Sequence, residues 1–321
     1  MTTTDGSPPA TQEEPWPRGD PMVDAQHPTS LAAGLVRLAR PKQWVKNLLV
    51  FAAPAAAGRL DEWAFFRDSL IAFACFCAAA AGTYYLNDAR DAATDRRHPA
   101  KQHRPVAAGV VPVSVAVVGG VTLLAAGIGL SFLANQRFAL TITAYVVLTT
   151  AYSAALKHIA VVDLVAVAAG FVLRAVGGAE ATNVDISDWF FIITIFGSLF
   201  MVAGKRGAEA AEMGEGAGSF RSVLSAYSGE YTSYLRSVTS AALLLSYCMW
   251  AFEKATDSGA DLPWYQASIL PFVMAVLRYA LVLDQGDRGS APEEIVLGDR
   301  TLQVIGVAWA IVFGIGVYTA A

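Results

Sequence analysis

The feature that most constrains this chain is a pair of uncharged apolar runs on either side of a densely charged segment. Residues 69–86 and 110–133 contain no Asp, Glu, Lys or Arg. Each is close to the ~20 residues an α-helix needs to cross a bilayer. Similar stretches recur, giving expected spans at roughly 43–58, 65–86, 112–133, 137–156, 161–180, 188–204, 234–254, 265–284 and 301–320. The expected fold is all-α: a polytopic membrane protein of about nine transmembrane helices. The first and sixth spans are short, so one of them is expected to tilt or lie partly in the interface. Composition supports the membrane class, since only 16% of the 321 residues are charged, against about 25% in soluble domains.

Two domains are not needed. Residues 1–30 hold six prolines and no apolar periodicity, so they read as a disordered tail. They have neither the basic start nor the apolar centre of a signal peptide. Residues 31–321 then form one transmembrane domain. Cys75, Cys77 and Cys248 lie within apolar runs and read as small hydrophobes, not as metal ligands or a disulfide.

The charged segment, 87–109, reads N-D-A-R-D-A-A-T-D-R-R-H-P-A-K-Q-H-R-P-V-A-A-G. Asp88, Asp91 and Asp95 fall at i, i+3 and i+7, a spacing that gathers them on one side of a helix. Three like charges there repel unless a cation lies between them. A divalent metal such as Mg²⁺, which takes one or two carboxylates plus phosphate oxygens, is the obvious candidate. Arg90, Arg96, Arg97, Lys101 and Arg104 surround them, which adds cations for anionic oxygens. Together these residues suggest a diphosphate site. The competing reading is a solvated, salt-bridged loop; it accounts for the arginines but not for three acids in register.

Lys and Arg are strongly one-sided. With the N-terminus cytoplasmic, all 23 except Arg59, Arg67, Arg137, Lys254 and the intraspan Arg174 fall on the cytoplasmic side, as the positive-inside bias requires. The 87–109 loop is then cytoplasmic and the C-terminus outside. The remaining polar candidates share that face. Arg37, Arg40, Lys42 and Lys46 enter the first span beside Trp44, with Lys42 and Lys46 one helical turn apart as an anion clamp or a simple flank. Tyr152, Ser153 and Lys157 follow the fourth span, with Asp163 beyond. Lys205, Arg206, Glu209 and Glu212 follow the sixth, either as a surface helix or as a second cation–acid cluster facing the first. Arg174 lies deep in the fifth span, where an ionisable group is costly and by default functional or paired; it is expected to face a polar cavity. Arg278 is expected to snorkel, and 284–294 to be a solvated connector.

The motif Asn87-Asp88-x-x-Asp91-x-x-x-Asp95 after a second span resembles the first motif of the UbiA-type intramembrane prenyltransferases. That resemblance implies nine helices around a central cavity with two polar motifs on cytoplasmic loops. The aromatic prenyltransferases of that superfamily carry a second D-x-x-x-D motif after the sixth span, where this chain has K205-R-G-A-E209. Three segments, R40-P-K-Q-W-V-K-N-L-L-V-F-A-A-P54, the 87–109 loop and Y152-S-A-A-L-K-H158, are instead similar to one branch. Its members transfer phosphoribosyl to decaprenyl phosphate for actinobacterial cell-wall arabinan.

The resemblance implies the following assignment. Asp88, Asp91 and Asp95 hold Mg²⁺ on the diphosphate of phosphoribosyl diphosphate, with Asn87 hydrogen-bonding nearby. Lys46, Lys101 and Arg104 neutralise the leaving diphosphate. Tyr152, Lys157, Lys205 and Arg206 position the 5-phosphate or the phosphate of the polyprenyl acceptor. Expected partners are those two substrates and the plasma membrane, with no nucleic acid and a possible homo-oligomer. The alternatives are an aromatic prenyltransferase of a quinone pathway and, from another class, a transporter using the polar cavity. Transport predicts mid-bilayer charges in both halves, and Arg174 is nearly alone.

Overall fold

The computed structural model describes residues 30–98, 101–213, 222–258, 262–285 and 292–319; the expected tail, except for Ser30, lies outside them. Among the described residues every regular element is helical. Helix α1 is Leu31–Leu38, followed by a 3₁₀ segment Pro41–Phe51 and the short α2, Ala52–Ala56. Next come α3 Trp63–Asp95, α4 Val113–Ser131, α5 Gln136–Ala154, α6 Val162–Thr182, α7 Asp188–Met213 and α8 Gly229–Ser258. After them, α9 runs Trp264–Gln285, α10 Pro292–Gly298 and α11 Arg300–Thr319. Seven of these, α3, α4, α6, α7, α8, α9 and α11, are long and apolar enough to cross a membrane. The other two expected spans are present as helix: α5, with 19 residues, and the 41–56 segment.

The winding of 41–56 answers the problem of its length. A 3₁₀ helix rises about 2.0 Å per residue against 1.5 Å for an α-helix. Eleven residues of the first and five of the second therefore reach about 30 Å, the thickness of the hydrocarbon core. Ser30 caps α1, its Oγ accepting from the Ala33 N–H at 3.2 Å. Helix α3 has the opposite character. Its 33 residues extend about 50 Å, so its charged last turns stand clear of the hydrocarbon on a continuous rigid rod.

Close packing depends on glycine at two crossings. A Cβ on Gly82 would lie 2.8 Å from the Gly120 carbonyl oxygen, which lets α3 and α4 approach backbone to backbone. A Cβ on Gly178 would lie 1.9 Å from the Val50 carbonyl oxygen. Only glycine there allows the 3₁₀ segment to lie directly on α6. Behind that contact sits a core of Val50, Phe76, Phe138, Ile142 and Tyr145, with Tyr145 edge-on to Phe76 at 5.2 Å.

One expectation fails here. Arg278 does not snorkel: it makes a bidentate pair with the buried Asp299, at 2.8 and 3.2 Å, where α9 meets the start of α11. Most of the expected connector 284–294 lies outside the described residues, and Asp284, Gln285 and Glu294 are exposed; just beyond it Ile295, 1% exposed, anchors α10 to the α7–α9 core.

Candidate active site

The last turns of α3 form one wall of the site. Asp88 and Asp95 are buried, with side chains 3% and 5% exposed, whereas Asp91 is 39% exposed. Helix geometry explains the split. At 3.6 residues per turn, i+7 lies about 20° from i, but i+3 lies about 60° away. The three acids therefore do not share one register, as the spacing suggested.

The cation between the acids is supplied by the chain. Arg104 Nη1 lies 2.8 Å from Asp95 Oδ2 and 3.3 Å from Asp88 Oδ1, so it bridges them. Arg40 Nη2 donates to the same Asp88 oxygen at 2.7 Å. Arg40 sits at φ 51°, a left-handed conformation uncommon outside glycine and at odds with the extended backbone that Pro41 favours. That strain is held by the Asp88 pair and by the Tyr84 ring, 4.6 Å beneath the guanidinium. Asp91 pairs with its neighbour Arg90, at 3.2 Å.

No group of three acidic, His or Cys side chains among the described residues converges as a metal site. Mg²⁺ ordinarily takes only one or two protein carboxylates and completes its shell with phosphate and water. The hard oxygens of Asp88, Asp91 and Asp95 fit that requirement.

Beside the acids opens a cavity of about 210 Å³ lined by Lys46, Thr83, Tyr84, Asn87, Tyr152 and Arg174, among others. Asn87 Nδ2 donates to Ser153 Oγ at 3.0 Å, and Arg90 Nη2 to the Ser153 carbonyl at 3.1 Å. These bonds pin α3 to the end of α5. Arg174 is on the floor, 7% exposed, facing the cavity as expected. Through Lys46 and Phe171 the cavity adjoins a second, apolar recess of about 290 Å³ lined also by Leu48, Leu49, Met201, Val296 and Leu297.

The second cluster is an ion network and leaves little cation to spare. Arg206, 3% exposed, donates to Asp163 Oδ2 at 2.8 Å, to Glu209, and to Tyr152 Oη at 3.1 Å. Tyr227 donates to the other Asp163 oxygen and accepts from the Val161 N–H at 2.8 Å. Val161, at φ 67°, is a strained β-branched residue fixed by this bond. Burial first, and then the bond to Asp163, push the Tyr227 phenol above the usual tyrosine range, so it stays a donor. Lys205 pairs with Glu209 at 3.7 Å. Arg206 is thus paired with two carboxylates and bonded to Tyr152, itself a lining residue of the cavity. The Glu212 side chain lies outside the described residues. Lys42 and Lys101 are exposed, Lys157 is half-buried in the turn Leu156–His158, and none of the three lines the cavity.

Sequence reasoning did not single out Arg40, Tyr145, Asn47 or Tyr227 as site residues. A signal existed for Arg40, a cation before Pro41 in a segment already read as an anion clamp. Tyr227 had none, since nothing in its neighbourhood shows that its loop folds back on Asp163.

With this geometry in view, comparisons with known proteins agree among themselves. The sequence model described as the UbiA prenyltransferase family matches residues 48–297. A decaprenyl-phosphate phosphoribosyltransferase of Corynebacterium glutamicum is 43% identical over 297 residues, covering 91% of this chain and 89% of its own length. One from Mycobacterium tuberculosis is 42% identical over 303 residues, covering 92% and 98%. A solved UbiA homolog from Archaeoglobus fulgidus, bound to GPP and Mg²⁺, matches with a TM-score of 0.65 at 16% identity, covering 89% and 99%. At that identity it shows the fold alone.

Proposed function

Since the chain belongs to the UbiA prenyltransferase family, we propose that it transfers 5-phosphoribosyl from phosphoribosyl diphosphate to a polyprenyl phosphate, with Mg²⁺, at the cytoplasmic face of the membrane. The names of relatives more than 40% identical over nine-tenths of the chain support this reading. The observation that carries it is the junction of two unlike recesses. A cavity that carries Lys46, Asn87, Tyr152, Ser153 and Arg174 among its lining residues shares Lys46 and Phe171 with an apolar recess. One substrate is polar throughout and the other has a charged head on a long hydrocarbon, and such a pair needs this junction.

Asp91, with Asp88 or Asp95, would hold Mg²⁺, which supplies positive charge to diphosphate oxygens. Arg40 and Arg104 are positioned to meet the same oxygens, placing cations where leaving-group charge develops. The C1–O bond breaks with its electron pair leaving on diphosphate. An oxygen of the polyprenyl phosphate forms the new C1–O bond from the opposite face. That oxygen is already ionised, so no general base is required. The products are diphosphate and polyprenylphosphoryl-5-phosphoribose. Where the aromatic enzymes are expected to carry a second Asp-rich motif, this chain has the self-neutralised set Asp163, Lys205, Arg206 and Glu209. A second acid-held metal is not what that set offers.

The test is a reconstituted assay with ribose-labelled phosphoribosyl diphosphate, a polyprenyl phosphate and Mg²⁺. Label is expected in the lipid phase, and EDTA is expected to abolish it. Label staying aqueous with polyprenyl phosphate, while a prenyl diphosphate prenylates an aromatic acid, would overturn the reading.

A further inference from the structure

Helices α3 and α5 run side by side along one wall of the cavity, and two pairs of small polar side chains join them. Asn87 Nδ2 donates to Ser153 Oγ at 3.0 Å, and Thr83 Oγ1 lies 3.5 Å from Thr149 Oγ1. The offset is 66 residues in both pairs, so the two helices are in parallel register here. Thr83 and Thr149 stand four residues before Asn87 and Ser153, one helical turn or about 6 Å deeper. All four residues line the cavity. The threonine pair lies between Asn87, which adjoins Asp88 in the chain, and Tyr145, which accepts from Arg174 on the floor.

Protons are placed in an uncommon way at the threonine pair. A hydroxyl carries one proton and two acceptor lone pairs. Thr83 Oγ1 donates its proton to the Ala79 carbonyl at 2.9 Å. Thr149 Oγ1 donates to the Tyr145 carbonyl at 2.9 Å, with the Val146 carbonyl at 3.1 Å. Both protons are turned back into their own helices, and the 3.5 Å between the two oxygens is longer than an ordinary O–H···O bond. The oxygens therefore face each other as acceptors. Back-bonding of this kind is frequent in helices and by itself serves no ligand. What sets this pair apart is convergence: two acceptors from different helices, at one level, on a cavity wall. A ligand hydroxyl at that level donates to either of them. A hydrocarbon there displaces water and leaves both without a donor, at a cost in binding.

We propose that Thr83 and Thr149 recognise the ring hydroxyls of the sugar donor, and so select a phosphorylated sugar over an isoprenyl diphosphate. The inference rests on the function proposed above, because it takes the acids of α3 to hold the diphosphate. A group carried by a diphosphate at Asp91 enters the cavity past Asn87, and the threonine pair is the next polar level on α3. Ribose brings hydroxyl donors at C2 and C3 to that level. An isoprenyl chain brings none.

Calorimetric titration of the full-length protein in detergent with Mg²⁺ tests this, using phosphoribosyl diphosphate and its 2-deoxy and 3-deoxy analogues. Wild type is expected to bind phosphoribosyl diphosphate about tenfold more tightly than at least one deoxy analogue, the scale of one neutral hydrogen bond lost. Thr83→Val with Thr149→Val removes both hydroxyls and keeps the β-branched shape. In that variant the preference is expected to fall below about twofold, while the deoxy analogue binds as it does to wild type. Should the double variant fail to fold, Thr149→Val against Thr149→Ser, which keeps the hydroxyl, carries the same comparison: the serine variant retains the preference and the valine variant loses it. A parallel loss of all three ligands would make the threonines structural and overturn the inference. A wild type that binds the three ligands alike would overturn it, as would valine variants that still discriminate. Failure of the proposed reaction is distinguishable, since wild type would then bind no phosphoribosyl diphosphate at all. Binding and ribose transfer without a hydroxyl preference would sink the threonine assignment alone.

Discussion

Asp91→Asn is expected to cut lipid labelling about 10²–10³-fold, the usual cost of removing one group that stabilises charge as it develops. The melting temperature should barely move. Asp91 is 39% exposed and pairs with the half-exposed Arg90, and exposed ion pairs contribute little to stability. Asp88→Asn should behave differently. Asp88 is 3% exposed and accepts from both Arg40 and Arg104, so its loss disturbs stability and activity together. Measuring both quantities on both variants separates a carboxylate held open for catalysis from one committed to the fold. If Asp91→Asn retained wild-type labelling, its metal role would be excluded.

The second large effect concerns the network on α6 and α7. Arg206→Leu leaves Asp163, fully buried, with the Tyr227 hydroxyl as its remaining side-chain donor among the described residues. Stranding one partner of a buried pair costs about 3–5 kcal/mol, or a fall of about 4–7 °C in Tm for a chain of this size. The paired variant Arg206→Leu with Asp163→Leu should recover at least half of that loss, because an apolar replacement of a whole buried pair is often neutral or better. Thermal melts in detergent would show the difference. A double variant no more stable than the single would mean that shape, not charge pairing, is what Arg206 supplies.

Much of this architecture was legible in the chain because membrane physics leaves few choices. Uncharged runs such as 69–86 and 110–133 admit little besides spanning helices, and charge crowded into 87–109 can only lie outside the hydrocarbon. The positions of Asn87 and Arg174 at one cavity were likewise foreseeable, from a motif at the end of a span and a cation within one. What spacing did not convey was how the charges are settled. Asp88, Asp91 and Asp95 look equivalent in a linear reading, yet 60° of helical rotation buries two and exposes one, and the intervening cation is Arg104. Arg206 reads as a spare cation until α6 brings Asp163 against it. Arg278 reads as a snorkelling side chain until the start of α11 brings Asp299 within 2.8 Å. In each case the deciding partner is distant in the chain, and local pattern carries no record of it. The 3₁₀ winding of 41–51 was hidden for another reason. It follows from the close seat on Gly178 and from a segment too short to span as an α-helix.

The most direct test of the whole account is an experimental density map of the protein with phosphoribosyl diphosphate and Mg²⁺. The account predicts density for a diphosphate and a metal beside Asp91 and Asp88, with Arg40 and Arg104 drawn onto phosphate oxygens. A sugar diphosphate bound elsewhere, with Arg104 still bridging Asp88 and Asp95, would contradict it.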